Sequence, residues 1–137
     1  MGLSINDILK RVWSVDLQNS KAVAVVSARK VKTKSGSPAI AFTTITRLPK
    51  QGTHKHKCYV FAADKNYVGP LSKCPAVKLG CDCGRYWSTF EVALHLKGAS
   101  NIIYSNGAYP YVRNPNAKIA CCKHLIKALR LVKARGW

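Results

Sequence analysis

The chain has 137 residues, 47% of them hydrophobic, with 23 Lys and Arg against 5 Asp and Glu, giving a net charge of +18. That length suits one domain with its own core, and the hydrophobic content is that of a globular rather than a disordered chain. The charge favours a polyanionic partner or an acidic protein surface, and so few carboxylates poorly supply an enzyme that needs several.

In chain order, Leu3 to Val15 reads as a helix. Ser4 and Asp7 stand as a capping box, and Ile5, Ile8, Leu9, Val12 and Trp13 recur on one face. Lys21–Val31 and Ala39–Leu48 are rich in β-branched residues and flank turn chemistry from Lys32 to Pro38, which predicts an antiparallel hairpin. A loop from Pro49 to His56 then leads to a third strand, Lys57–Ala63. After a turn at Asp64–Pro70, a short strand is expected near Ala76–Leu79. Arg85–Leu96 reads as a helix stopped by Gly98. Ser105-Asn106-Gly107 between apolar and aromatic flanks predicts a small hairpin. The final helix, Cys122–Arg135, places Leu125, Ala128, Leu129 and Val132 on one side and Lys123, Lys127 and Arg130 on the other, and Gly136 ends it.

The expected architecture is therefore α+β: a small antiparallel sheet with an N-terminal and a C-terminal helix in one domain, 1–137. Residues 1–79 form its helix and sheet portion, and 80–137 form a portion built around cysteine. No segment approaches the roughly 18 unbroken apolar residues of a membrane helix. Met1 to Asp7 lacks the basic and apolar regions of a secretory signal, so a soluble intracellular product is expected.

Cysteine carries the most specific signal. Cys81-Asp82-Cys83 is followed, after a spacer of 38 residues, by Cys122-Lys123-His124. Three thiols and an imidazole are the ligands of a closed tetrahedral zinc site. A tight turn around Asp82 and Gly84 would present the first pair and the head of the last helix the second, and Lys123 would favour thiolates. The expected ligands are Cys81, Cys83, Cys122 and His124, with Cys121 as the competitor to Cys122. Cys58 and Cys74 fall outside the pattern and read as core thiols, a disulfide between them being the alternative in an oxidising medium.

The same residues carry a family resemblance. Cys81-x-Cys83 and Cys122-x-His124, the latter opening a helix as Cys-Cys-Lys-His-Leu-Ile-Lys-Ala-Leu, resemble a SWIM-type zinc finger. The resemblance implies a strand-strand-helix arrangement that binds DNA or protein without catalysis. The spacer here is longer than the family's usual one, by an insertion spanning Arg85 to Asn116. A narrower resemblance covers Gly80 to Leu129: Ala93, Leu94, Gly98-Ala99-Ser100, Ile102, Tyr104-Ser105-Asn106-Gly107 and Asn114-Pro115-Asn116 are similar to SWIM-like proteins of tailed bacteriophages. It implies a zinc-stabilised structural protein of the virion (capsid, neck or tail), assembled in the host cytoplasm. Its partners would be other virion proteins and packaged DNA. The alternative is an intracellular nucleic-acid-binding zinc-finger module.

Under either reading the contacts are basic. Arg29, Lys30, Lys32 and Lys34 on one loop, Lys55 and Lys57 on another, and Lys123, Lys127 and Arg130 on the last helix are placed to meet phosphates or an acidic partner. His54 and His56 lack a second pair nearby in sequence and read as loop residues rather than ligands. Tyr104, Tyr109 and Tyr111 beside Arg113 read as packing of the small hairpin, with base stacking or a protein contact as the alternative. No phosphate loop, nucleophile elbow or His-Glu-x-x-His pattern is present, and neither a membrane nor a small-molecule substrate is expected.

Overall fold

The computed structural model describes residues 2–48 and 52–137, with the Leu48 side chain excepted. Strands β1 (Val23–Lys32), β2 (Pro38–Leu48), β3 (Gly52–Ala62) and β4 (Val77–Cys81) form one antiparallel sheet in the order β1-β2-β3-β4. Strand alternation divides its faces. Phe42 pairs with Cys58, which pairs with Cys81, and Ile40 pairs with Val60, which pairs with Leu79; all six are buried on the inner face. The outer face carries Arg29, Ala41 and Tyr59 in one row and Ser27, Thr43 and Lys57 in the next.

Helix α4 (Lys123–Arg135) covers the inner face, with Leu125, Ile126, Ala128, Leu129 and Val132 at 0% exposure. Burying each Leu or Ile stabilises by about 1.5–3 kcal/mol, so tertiary packing of this stripe holds the helix. Helices α1 (Ile5–Leu9) and α2 (Ser14–Asn19) pack against α4 and add Ile5 and Ile8 to the same core. The α+β architecture expected from the pattern is the one observed. Strand β4 runs across residues 79 and 80, so both sequence portions share one core.

Several elements differ from the sequence expectation. The capping box forms: Ser4 N–H donates to the Asp7 carboxylate at 2.9 Å, and Asp7 N–H donates to Ser4 Oγ at 3.1 Å. The expected single helix is broken: α1 ends at Leu9 and α2 starts at Ser14, with Trp13 extended between them and its ring meeting Phe90 edge-on at 5.0 Å. The third strand starts at Gly52, so His54 to Lys57 are strand residues rather than a hairpin tip; the expected loop residues Pro49 to Gln51 lie outside the described residues. The middle helix opens with a π turn, Tyr86–Phe90, before α3 (Glu91–Leu96). In that turn the Tyr86 hydroxyl is buried 3.0 Å from the Leu79 carbonyl and 2.6 Å from Ser100 Oγ. Gly98, at φ 73°, ends α3 as expected, with Ala99 N–H donating to the Leu94 carbonyl and Gly98 N–H to that of His95.

The small hairpin does not form. Its turn signals are satisfied locally: Gly107 N–H donates to Ser105 Oγ and Ala108 N–H to Asn106 Oδ1. The flanking backbone, however, is captured by a side chain. Glu91, 1% exposed, accepts the N–H groups of Ile103, Tyr104 and Ser105 at 3.2, 3.2 and 2.9 Å, removing donors that a ladder would need. Asn114 ties down the far end, donating to the carbonyls of Thr89 and Lys118 and accepting Lys118 N–H. Tyr104 and Tyr111 are 41% and 77% exposed, which corrects the expectation that they pack a hairpin core.

On the outer face, Tyr59 leans over its β-partner Gly80, where an added Cβ would overlap the ring. Its hydroxyl is buried with no hydrogen-bond partner among the described residues, and burial raises its pKa. An unpaired buried hydroxyl costs about 1–3 kcal/mol. Tyr59→Phe is therefore expected to match or exceed the wild type in urea melts, by up to about 1 kcal/mol. A clear loss of stability would mean that the hydroxyl is bonded.

Candidate metal centre

The Cys-x-Cys turn begins where β4 ends, and β3 clips it in place. Asp82 N–H donates to the Lys57 carbonyl at 3.1 Å, while Asp82 Oδ1 accepts Lys57 N–H at 3.1 Å and lies 2.9 Å from His56 Nδ1. Cys81 therefore stays in the sheet and Cys83 is carried just beyond it. Cys122 is the N-cap of α4, but its side chain caps nothing and is left to face the other sulfurs. His124, in the first turn, is rigidly placed by the helix.

The ligand atoms of Cys81, Cys83, Cys122 and His124 all lie within 4.8 Å of one another, and all four residues are buried. A tetrahedron with ligands about 2.0–2.3 Å from its centre has edges of about 3.3–3.8 Å, so the cluster is close to closed. Cys81 Sγ is 3.8 Å from His124 Nδ1. The other ring nitrogen, Nε2, lies 3.4 Å from Thr46 Oγ1, a buried partner able to orient the imidazole. The His56 ring rests against His124 with centroids 4.5 Å apart. Cys58 sits directly opposite Cys81 on β3.

The electrostatics match a cation site. Hydrogen bonds from Cys122 and Cys81, aided by His124, hold Cys83 far below the ordinary thiol range. Cys81 is pushed well up, chiefly by its hydrogen bond with Cys122, and Cys122 is pushed up by burial. Three thiolates this close repel one another, and a bound dication supplies the charge that stabilises them together. Beside the cluster, the Arg85 pKa is raised, chiefly by its hydrogen bond to Asp16. The guanidinium is paired with the buried Asp16 carboxylate, with Nη2 to Oδ2 at 2.9 Å, and lies over the Trp13 and Phe90 rings. The donor set and its spacing thus fit a metal ion, and four protein ligands leave no open position for a substrate.

The competitor Cys121 is fully buried, lies outside the cluster and has its pKa raised by burial. Cys58 and Cys74 are free and buried, as core thiols are expected to be. His54 is exposed on β3 and joins no metal cluster among the described residues. The basic residues do not form one patch. Arg29, Lys55 and Lys57 share the outer sheet face and Lys30 and Lys32 alternate away from it, whereas Lys123, Lys127 and Arg130 lie on the helix across the sheet. Four side chains that order the site or its surroundings carry no signal of that role in the sequence: His56, expected as a loop residue, and Thr46, Glu91 and Arg85. The β-register sets His56 and Thr46 beside His124, and only the fold brings Arg85 to Asp16 or Glu91 to its loop.

Comparison with family models, curated proteins and solved structures finds no match to this chain.

Proposed function

We propose that the protein is a non-enzymatic, zinc-stapled binding module whose basic surface engages nucleic acid. Three sulfurs and one imidazole in a buried, closed cluster favour zinc in a structural role. Strands β3 and β4 with helix α4 surround the ligands in a strand-strand-helix set, in keeping with the SWIM-type resemblance.

The observation that carries the nucleic-acid reading is where the acids go. Asp7 closes the capping box, Asp16 pairs with Arg85, Asp64 caps a turn at Asn66, Asp82 clips the cysteine turn and Glu91 holds a loop. Among the described residues, Arg85 is the one Lys or Arg paired with a carboxylate. The exposed Arg29, Lys30, Lys32, Lys34, Lys55 and Lys57 are thus left to an external polyanion.

Binding to duplex or single-stranded DNA is expected to weaken steeply with salt, with a log–log slope of about −4.5 for five duplex phosphates. Absence of binding at low salt would overturn this reading. A place in a tailed-phage virion, where packaged DNA or an acidic subunit meets the same surface, is the second reading. The loop fixed by Glu91 and Asn114 favours it, since Ile103, Tyr111 and Val112 project from that loop at 53%, 77% and 93% exposure. Mass spectrometry of purified particles tests that role, and absence of the protein would end it.

A further inference from the structure

Among the described residues, α4 covers the inner face of the sheet and the outer face is left partly open. It holds a trough of about 340 Å³, floored by Ala41 and Thr43, flanked by Arg29 on β1 and by Lys57 and Tyr59 on β3, and closed by Tyr104. Arg29 and Tyr59 stand in register across β2, about 9.6 Å apart by strand spacing. Phe61 stacks on Tyr59 with centroids 5.8 Å apart and planes at 28°, extending the aromatic platform by one row. Two contacts maintain this arrangement. Gly80 lets the Tyr59 ring lean across β4, and the buried Glu91 carboxylate accepts Tyr104 N–H at 3.2 Å.

Resting on the nucleic-acid reading above, we propose that this trough is a binding site for single-stranded nucleic acid, with bases on the aromatic rings and phosphates on the flanking cations. Charge complementarity selects the occupant. Arg29 and Lys57 border the trough, no carboxylate lines it, and the adjacent Asp82 is already engaged by His56 and the Lys57 amide. Aromatic faces select the strandedness, because a duplex hides the faces of its bases, whereas an unpaired strand offers them for stacking. The site lies across the sheet from Lys123, Lys127 and Arg130, so the two basic surfaces can be tested separately.

The test is fluorescence anisotropy of the full-length, metal-loaded protein with a labelled 15-residue oligothymidine and with a 15-base-pair duplex. The single strand is expected to bind at least about tenfold tighter than the duplex. Tyr104→Ala and Phe61→Ala should each weaken it by about 5- to 150-fold, the range of base–aromatic stacking. Tyr104 lies on an exposed loop, so its variant stays readable if Phe61→Ala loses its fold. Lys57→Glu should weaken binding and flatten the salt slope. Preference for the duplex would overturn the proposal. So would wild-type affinity in the aromatic variants alongside lost binding in a Lys123→Glu, Lys127→Glu, Arg130→Glu variant, although nucleic-acid binding itself would stand. Binding of neither probe at low salt would remove both proposals.

Discussion

Stripping the metal with a strong chelator is expected to unfold the natively prepared protein or reduce it to a loosely packed state. Binding at structural zinc sites is worth about 10–16 kcal/mol, against a total stability of about 5–15 kcal/mol for a domain. The cluster also pins the head of α4 to the end of β4, adding to the apolar packing of the helix on the sheet. Cys81 ends the sheet with Cys83 just beyond it, Cys122 and His124 begin α4, and the residues between the two pairs include the loop held by Glu91. Cys122→Ser should act like the chelator, losing bound metal and the thermal transition together. Cys121→Ser, one residue away and equally buried but outside the cluster, should keep its metal and lose only about 1–3 kcal/mol. Elemental analysis beside a thermal melt reads both quantities. A chelated protein that melts like the untreated one would refute the staple.

The second large effect is expected at Glu91. Removing its carboxylate in Glu91→Ala leaves three backbone N–H groups without their acceptor and opens a cavity at a buried position. A loss of about 2–4 kcal/mol is expected, since bonds to a charged acceptor are worth about 1.5–3 kcal/mol each and do not add fully. The loss should appear as a lower melting temperature and as new protease cuts between Ile102 and Asn116, with metal content unchanged. Glu91→Gln, which keeps one carbonyl acceptor, should fall between. A Glu91→Ala protein as stable and as protease-resistant as the wild type would show that the loop has other anchors.

The parts of this fold written in local chemistry were legible in the sequence. The stripe Leu125, Ala128, Leu129, Val132 specifies α4, Ser4 and Asp7 specify a helix start, and Gly98 and Gly136 mark two helix ends. The four candidate ligands were legible because their spacing is itself the chemistry, and the fold brings them together. What was missed depends on partners distant in the chain. Trp13 leaves the helical path to meet Phe90, which no periodicity in residues 3–15 records. Residues 102–112 have a hairpin's composition, yet Glu91 takes the donors that pairing would use. His56 looked like part of a loop until the β2–β3 register set it against Thr44, one face with Thr46 and His124.

Strand β1 lies at the end of the sheet order, with Val26 and Val31 54% and 41% exposed, while beyond β4 Ser100 makes a bridge to Leu79. An open strand edge invites a second copy to zip onto it, and Arg29, Lys30 and Lys32 oppose this by mutual repulsion between molecules. The charge part of this protection is conditional, whereas the bulge between Val25 and Ser27 on the same strand is not. Concentrated salt, or a bound polyanion that neutralises the rim, screens this repulsion and leaves the bulge as the border's remaining guard.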